Sequence, residues 1–129
     1  MNITVTISGL SKVISRFNNS PAIIDKELEL AFRKSLALME RNVKLRTPVD
    51  TGRLRASIGS ESQGGWRYIK KTVAGLGTKV WYAYWVEVRK ARHMVGEWGY
   101  FSKGVQASIS GISNFFKQAM ENVAKRITQ

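Results

Sequence analysis

The longest helical beat in the chain is framed by its two prolines, Pro21 and Pro48, and this frame constrains the fold more than any other feature. Ile24, Leu28, Phe32, Leu36, Met39 and Val43 recur at steps of three and four, while Glu27, Lys34 and Arg41 occupy another face. Ser20 before Pro21 reads as an N-cap followed by proline at the first helical position, where its missing N–H costs nothing. Pro48 disfavours helical backbone at the residue before it. The spacing therefore predicts a helix over 21–46, a rod about 39 Å long at ~1.5 Å per residue. Asp25, Glu27 and Glu29 near its start and Lys44 and Arg46 near its end suit the helix dipole.

Around this rod the patterning is mixed. Ile3, Val5 and Ile7 alternate with Asn2, Thr4, Thr6 and Ser8, the period of a strand with one wet face. Gly9 breaks it, and Leu10, Val13, Ile14 and Phe17 take helical spacing over a short stretch. "GSESQGG", Gly59 to Gly65, is a loop by composition. Two segments rich in aromatic and β-branched residues follow, "WRYIKKTVAG" and "TKVWYAYWVEV". With "GLG" (Gly75 to Gly77) as the turn they predict a hairpin, in which Trp66 and Tyr68 pair with Tyr82 and Tyr84. From Arg89 to Lys103 no period survives. Val105, Ile109, Ile112, Phe116, Ala119, Val123 and Ile127 then restore helical spacing and predict a second long amphipathic helix over 105–127. Gly111 within it costs roughly 1 kcal/mol, which would also fit a start near Ser113.

Helices and strands are segregated instead of alternating β-α-β, so the fold class is α+β: a small antiparallel sheet packed by two long helices. The 129 residues hold one core, and no linker divides them, so a single domain over 1–129 is expected.

The chemistry open to this chain is narrow. It has no cysteine, which removes disulfides, thiolate metal sites and a cysteine nucleophile. Its single histidine, His93, has no second ligand of its kind and no nucleophile motif beside it. The glycines of "GLGTK" lack the Walker spacing. No catalytic residue, metal ligand or cofactor site is expected. The N-terminus lacks a signal peptide's pattern, and no apolar run is long enough to span a membrane, so a soluble intracellular protein is expected.

Charge is the other bound. The net charge is +12, and Arg41 to Arg92 holds twelve basic residues against three acidic ones. Such a field favours a polyanion or an acidic partner surface. One reading is a nucleic-acid-binding module, with Arg67, Lys70 and Lys71 among Trp66, Tyr68 and Tyr82 on a basic aromatic sheet. The other, which is preferred, is that Trp81, Tyr82, Trp85 and Val86 fill the core or a subunit interface, since aromatics and arginine are enriched at interfaces.

Behind the first helix stands "TPVDTGRLRASI", Thr47 to Ile58. Pro48 ends the helix, and Asp50 or Thr51 can accept backbone N–H groups at the mouth of a short new helical turn. Gly52 would let the backbone pass close to a neighbour. Leu54 and Ile58, four apart, would dock on the core, leaving Arg53 and Arg55 outward.

This stretch resembles the signature of the tail-completion or head-to-tail joining proteins of long-tailed bacteriophages. The resemblance extends to Ile7–Leu10, to the long helix running into a proline, to "YAYWVEV" (Tyr82 to Val88) and to "FFKQAMENV" (Phe115 to Val123). Arg89 and Lys90 stand where that family often has glycine and threonine, and Ser113 and Asn114 where a proline is common. The resemblance implies a structural virion protein without a reaction or cofactor, made in the host cytoplasm and placed at the tail–head junction. It further implies a ring, hexameric as in the family, between the tail tube or tail terminator and the head connector or head-closure protein, with DNA passing through its lumen. Candidate contacts with copies or partners are Arg53, Arg55, Tyr82, Tyr84, Trp85, Glu87, Arg89, Lys90 and Arg92. The basic stretch would face either DNA or an acidic partner.

Overall fold

The computed structural model describes residues 2–6, 21–49, 52–89 and 96–127. In chain order these form β1 (Asn2–Thr6), α1 (Pro21–Arg46), α2 (Arg53–Ser57), a single 3-10 turn (Glu61–Gln63), β2 (Gly65–Ile69), β3 (Val73–Thr78), α3 (Ala83–Val88) and α4 (Tyr100–Ile127). The class is α+β, as the patterning predicts. The expected short helix over Leu10 to Phe17, the cap at Ser20, and Ile7 and Ser8 of the first strand lie outside the described residues.

The helix α1 spans the residues its two prolines frame. Ile24, Leu28, Phe32, Leu36, Met39 and Val43 are all buried. At ~1.5–3 kcal/mol for each fully buried large apolar side chain, this stripe outweighs differences in helix propensity of a few tenths per residue. Ser35 and Thr47 are buried too, and each hydroxyl donates to the carbonyl four residues back, Ala31 and Val43, at 2.7 Å. Glu27 departs from expectation. It is buried instead of lying on the wet face with Lys34 and Arg41, and its carboxylate takes Asn122 Nδ2 at 3.3 Å and the Arg126 guanidinium at 3.5 Å.

Those partners belong to α4, which packs antiparallel along α1. The contacts run in opposite order on the two helices: Gly104 against Val43, Ser108 with Asn42 at 2.9 Å, Gly111 against Leu38, and Phe116 edge-on to Phe32 at 4.9 Å. Small residues set the approach. A Cβ on Gly104 would sit 2.6 Å from Val43 Cα, and one on Gly111 would sit 2.5 Å from the tip of Leu38. Gly111 is therefore a contact point, not a helix boundary. The helix starts at Tyr100, ahead of both expected starts, for a reason given by Glu87 below.

The sheet is antiparallel with order β1-β3-β2, and α1 lies against β2 and β3. Here the expected hairpin is wrong. The turn falls at Lys70 to Thr72, where Lys70 N–H donates to Val73 O at 2.7 Å, and "GLG" lies inside β3. Ala74, Leu76 and Thr78 alternate onto a buried face, which leaves Gly75 and Gly77 for the other face. There Trp66 stands opposite Gly77 and Tyr68 opposite Gly75. Their rings stack at 5.8 Å, and the Tyr68 hydroxyl comes within 3.5 Å of Thr4 Oγ1 on the far side of β3. Gly75 lies between Tyr68 and Thr4 in the register, where a side chain would stand in that crossing, so this glycine sits inside a strand and not in a turn. Tyr82 and Tyr84 pair with neither aromatic, because the chain from 83 to 88 is helical.

At "TPVDTGRLRASI" the expectations meet different outcomes. The short helix α2 exists, and Leu54 and Ile58 are buried. Asp50 and Thr51 lie outside the described residues. Gly52 is needed for its backbone and not for closeness: its φ is 82°, and an added Cβ would meet nothing within 4 Å. The close approaches occur elsewhere. A Cβ on Gly96 would lie 2.4 Å from the Pro48 nitrogen, and one on Gly65 would lie 1.6 Å from Ser57 O.

Candidate docking surface

The segment "WYAYWVEV" has the composition of a strand, yet it coils because its partners reward a helical period. Thr78 Oγ1 accepts Val80 N–H at 3.1 Å and closes β3. Ala83 N–H then reaches Val80 O, Val86 N–H reaches Tyr82 O, and Arg89 N–H reaches Trp85 O. Ala83 and Glu87, one turn apart, turn inward and are buried, with Tyr82 and Val86 half-buried at their sides. The opposite side of the same turns is left to solvent.

Glu87 fastens this helix. Its carboxylate accepts Phe101 N–H at 2.8 Å and Ser102 N–H at 3.0 Å, and it also takes the Ser102 hydroxyl. The first N–H groups of a helix have no partner within it and carry partial positive charge, so a buried carboxylate at this point caps α4. This cap explains why α4 begins at Tyr100. Gly99 N–H donates to Glu87 O at 2.8 Å, and the buried Tyr100 hydroxyl donates to Ala83 O at 3.0 Å. Burial, then the Glu87 carboxylate and Tyr82, push the Tyr100 phenol well above its ordinary range.

The same junction reaches the end of α1. Glu97 N–H donates to Arg46 O at 2.9 Å, its carboxylate lies 3.7 Å from Arg46 Nε and 3.3 Å from Lys103 Nζ, and Lys103 also sits 4.3 Å over the Trp98 ring. Four residues, Gly96 to Gly99, thus tie the proline corner to α3. Sequence reading missed this tie because "GEWGYFSKG" has no period of its own, although an acid flanked by glycines in so basic a stretch was a signal.

On the outer face of α3 stand Trp85 (62% exposed), Tyr84 (55%) and Val88 (44%), with Trp81 (76%) in the turn that leads into it. Their spacing of three and four puts them on one side of the helix. Of the expected contact residues, Tyr84 and Trp85 belong to this face and Arg89 is exposed beside it. Tyr82 is half-buried, Glu87 is committed to the α4 cap, and Lys90 and Arg92 lie outside the described residues. Trp81 and Trp85 do not fill the core, since the helical turn at Ala83 to Val88 directs Ala83 and Glu87 inward in their place, and Val88 was not among the expected residues. Glu87 is the one acidic residue between Lys70 and His93 in the sequence, so with its carboxylate engaged the exposed flanks contributed by Lys79 and Arg89 are basic.

The corner residues are placed apart from this role. Arg53 is exposed, but Arg55 is half-buried and folds back, contrary to the expectation that both point outward. Arg55 Nη2 donates to Thr47 O at 3.3 Å, which satisfies a carbonyl at the end of α1, and Arg55 Nε is buried with no partner among the described residues. Pro48 is half-buried under Gly96. Among the described residues no group of acidic or histidine side chains is arranged to hold a metal ion, and no helix is long and apolar enough to cross a membrane.

Residues 11–88, more than half of the chain, match a protein-family model described as "Bacteriophage HK97-gp10, putative tail-component". The matched range takes in α1, the proline corner, β2, β3 and α3, and stops before the basic run at Arg89. Comparison with curated proteins and with solved structures finds no match.

Proposed function

The chain belongs to the HK97 gp10-like family of phage tail components, and on that premise we propose that it completes the tail and joins it to the head connector. In this reading copies of the chain form a ring, six by resemblance, around the DNA passage. One side meets the tail tube or tail terminator and the other meets the head connector or head-closure protein. The work is adhesion and geometry, with no reaction and no cofactor.

The observation that carries this reading is the aromatic face of α3. A tryptophan and a tyrosine are held out to solvent on a helix anchored at both ends, with a second tryptophan, Trp81, in the turn that leads into it. Large rigid aromatics on a fixed frame are the residues that dominate protein interfaces. The proline corner supports it as the brace that ties α1 to that frame. Arg53, exposed on α2, is a further contact in this reading.

The nucleic-acid module has less support. It needs Trp66, Tyr68 and Tyr82 on one basic sheet, but Tyr82 precedes a helix and Arg67 turns to Glu40 at 3.3 Å. Trp66 and Tyr68 stack on each other.

The test is deletion of the gene from its phage, with particles viewed by electron microscopy. Unjoined heads and tails are expected, with joining restored by the chain supplied in trans. Infectious, joined particles formed without the chain overturn the reading.

A further inference from the structure

The surface of α3 has a composition that selects its partner. From the exposures of Trp81, Tyr84, Trp85 and Val88, the apolar patch presents on the order of 500 Å², against the ~800 Å² per partner of a standard interface. That is enough for an interface core and too little for the whole. The remainder must come from the border, and the border contributed by Lys79 and Arg89 is basic and exposed. The nearest acid in sequence, Glu87, accepts two backbone N–H groups of α4 and is not available to neutralise it.

A second copy fits this surface badly. Pairing the patch with itself brings Lys79 and Arg89 of one copy toward the same residues of the other, in a protein of net charge +12. Like charges set across an interface are costly, so a two-fold pairing of the patch with itself keeps only the undersized apolar centre. In a ring the patch would meet a different face of the next copy, but among the described acids Glu27, Glu29, Glu40 and Glu97 are ion-paired and Glu87 caps α4, which leaves Asp25, Glu61 and Glu121 on three separate elements and no acidic rim. An acidic rim brings the border into the contact. The aromatic side chains then need apolar recesses at the centre of that rim, as anchor residues do.

We infer that the outer face of α3 docks on a different protein, one that presents apolar recesses within an acidic rim, and that copies of this chain meet each other through another surface. The inference rests on the proposed function, because it takes the chain to work by assembly in the virion.

Photo-crosslinking in particles tests it. The variant Trp85→p-benzoylphenylalanine is supplied during phage growth, purified particles are irradiated, and the joined peptides are identified by mass spectrometry. Trp81→p-benzoylphenylalanine serves as a second position. The expected adduct joins this chain to another virion protein at a peptide rich in Asp and Glu, and adding Arg89→Glu lowers its yield several-fold. An adduct to a second copy, an adduct at a peptide without acidic residues, or no adduct from particles that contain the chain overturns the inference and leaves the proposed function standing. Particles that lack the chain altogether overturn both.

Discussion

Glu87 and Phe101, fourteen residues apart, are joined by a 2.8 Å hydrogen bond from the Phe101 N–H to the Glu87 carboxylate, so the helix carrying the exposed Tyr84 and Trp85 and the start of α4 are held together. Glu87→Ala leaves two backbone donors without this partner and is expected to cost about 2–3 kcal/mol. Glu87→Gln keeps one accepting oxygen and is expected to cost about 1 kcal/mol. Denaturant melts check both. If each variant stays within about 0.5 kcal/mol of the parent, the cap contributes nothing.

Two glycines of one helix should respond differently to the same change. At Gly104 the added methyl meets Val43 backbone at 2.6 Å, so Gly104→Ala overpacks a rigid contact and costs about 1–3 kcal/mol. At Gly111 it meets a Leu38 methyl at the end of a flexible side chain. There the gain in helix propensity, about 1 kcal/mol, offsets or exceeds the repacking. Thermal melts ranking Gly111→Ala below Gly104→Ala would refute this picture of the helix pair.

Tyr100 makes stability depend on alkaline pH. In the unfolded chain its phenol loses a proton near its ordinary value of 10.0, while burial beside Glu87 and Tyr82 keeps it protonated in the fold. Above that pH the unfolded state binds fewer protons, so stability falls as pH rises, and the contribution is complete only below it. The slope attributable to Tyr100 approaches ~1.4 kcal/mol per pH unit. Tyr100→Phe should flatten this part of the curve while costing about 1 kcal/mol at neutral pH through the lost bond to Ala83 O. Parallel unfolding curves for the two proteins between neutral and strongly alkaline pH would rule it out.

At the proline corner the prediction turns on backbone alone. Gly52 has φ 82° and open space around its absent side chain. Gly52→Asn, which tolerates the left-handed region, should cost less than about 1 kcal/mol. Gly52→Val should cost roughly 2 kcal/mol through strain. Equal melting temperatures for the two variants would show that the corner relaxes freely.

Much of the architecture follows from short-range signals. The extent of α1 is legible because prolines act on their own and neighbouring residues, and a long apolar stripe at one period has few other ways to be buried. The apolar face of α4, the buried pair Leu54 and Ile58, and the match over "TPVDTGRLRASI" are legible in the same way. These features depend on residues a few positions apart.

Only the tertiary structure decided the rest. Whether "YAYWVEV" is a strand or a helix depends on Glu87 finding the start of α4 and on Tyr100 finding Ala83, contacts across more than ten residues that local propensity cannot register. Whether "GLG" turns or runs straight depends on aromatic rings arriving from β2. The exposure of Trp81 and Trp85 is a consequence of that same choice. A strand would have been judged by alternation, whereas a helix pinned through Ala83 and Glu87 leaves its other side facing outward. Local period and chain-breaking residues set the rods, and long-range hydrogen bonds set which surface they present.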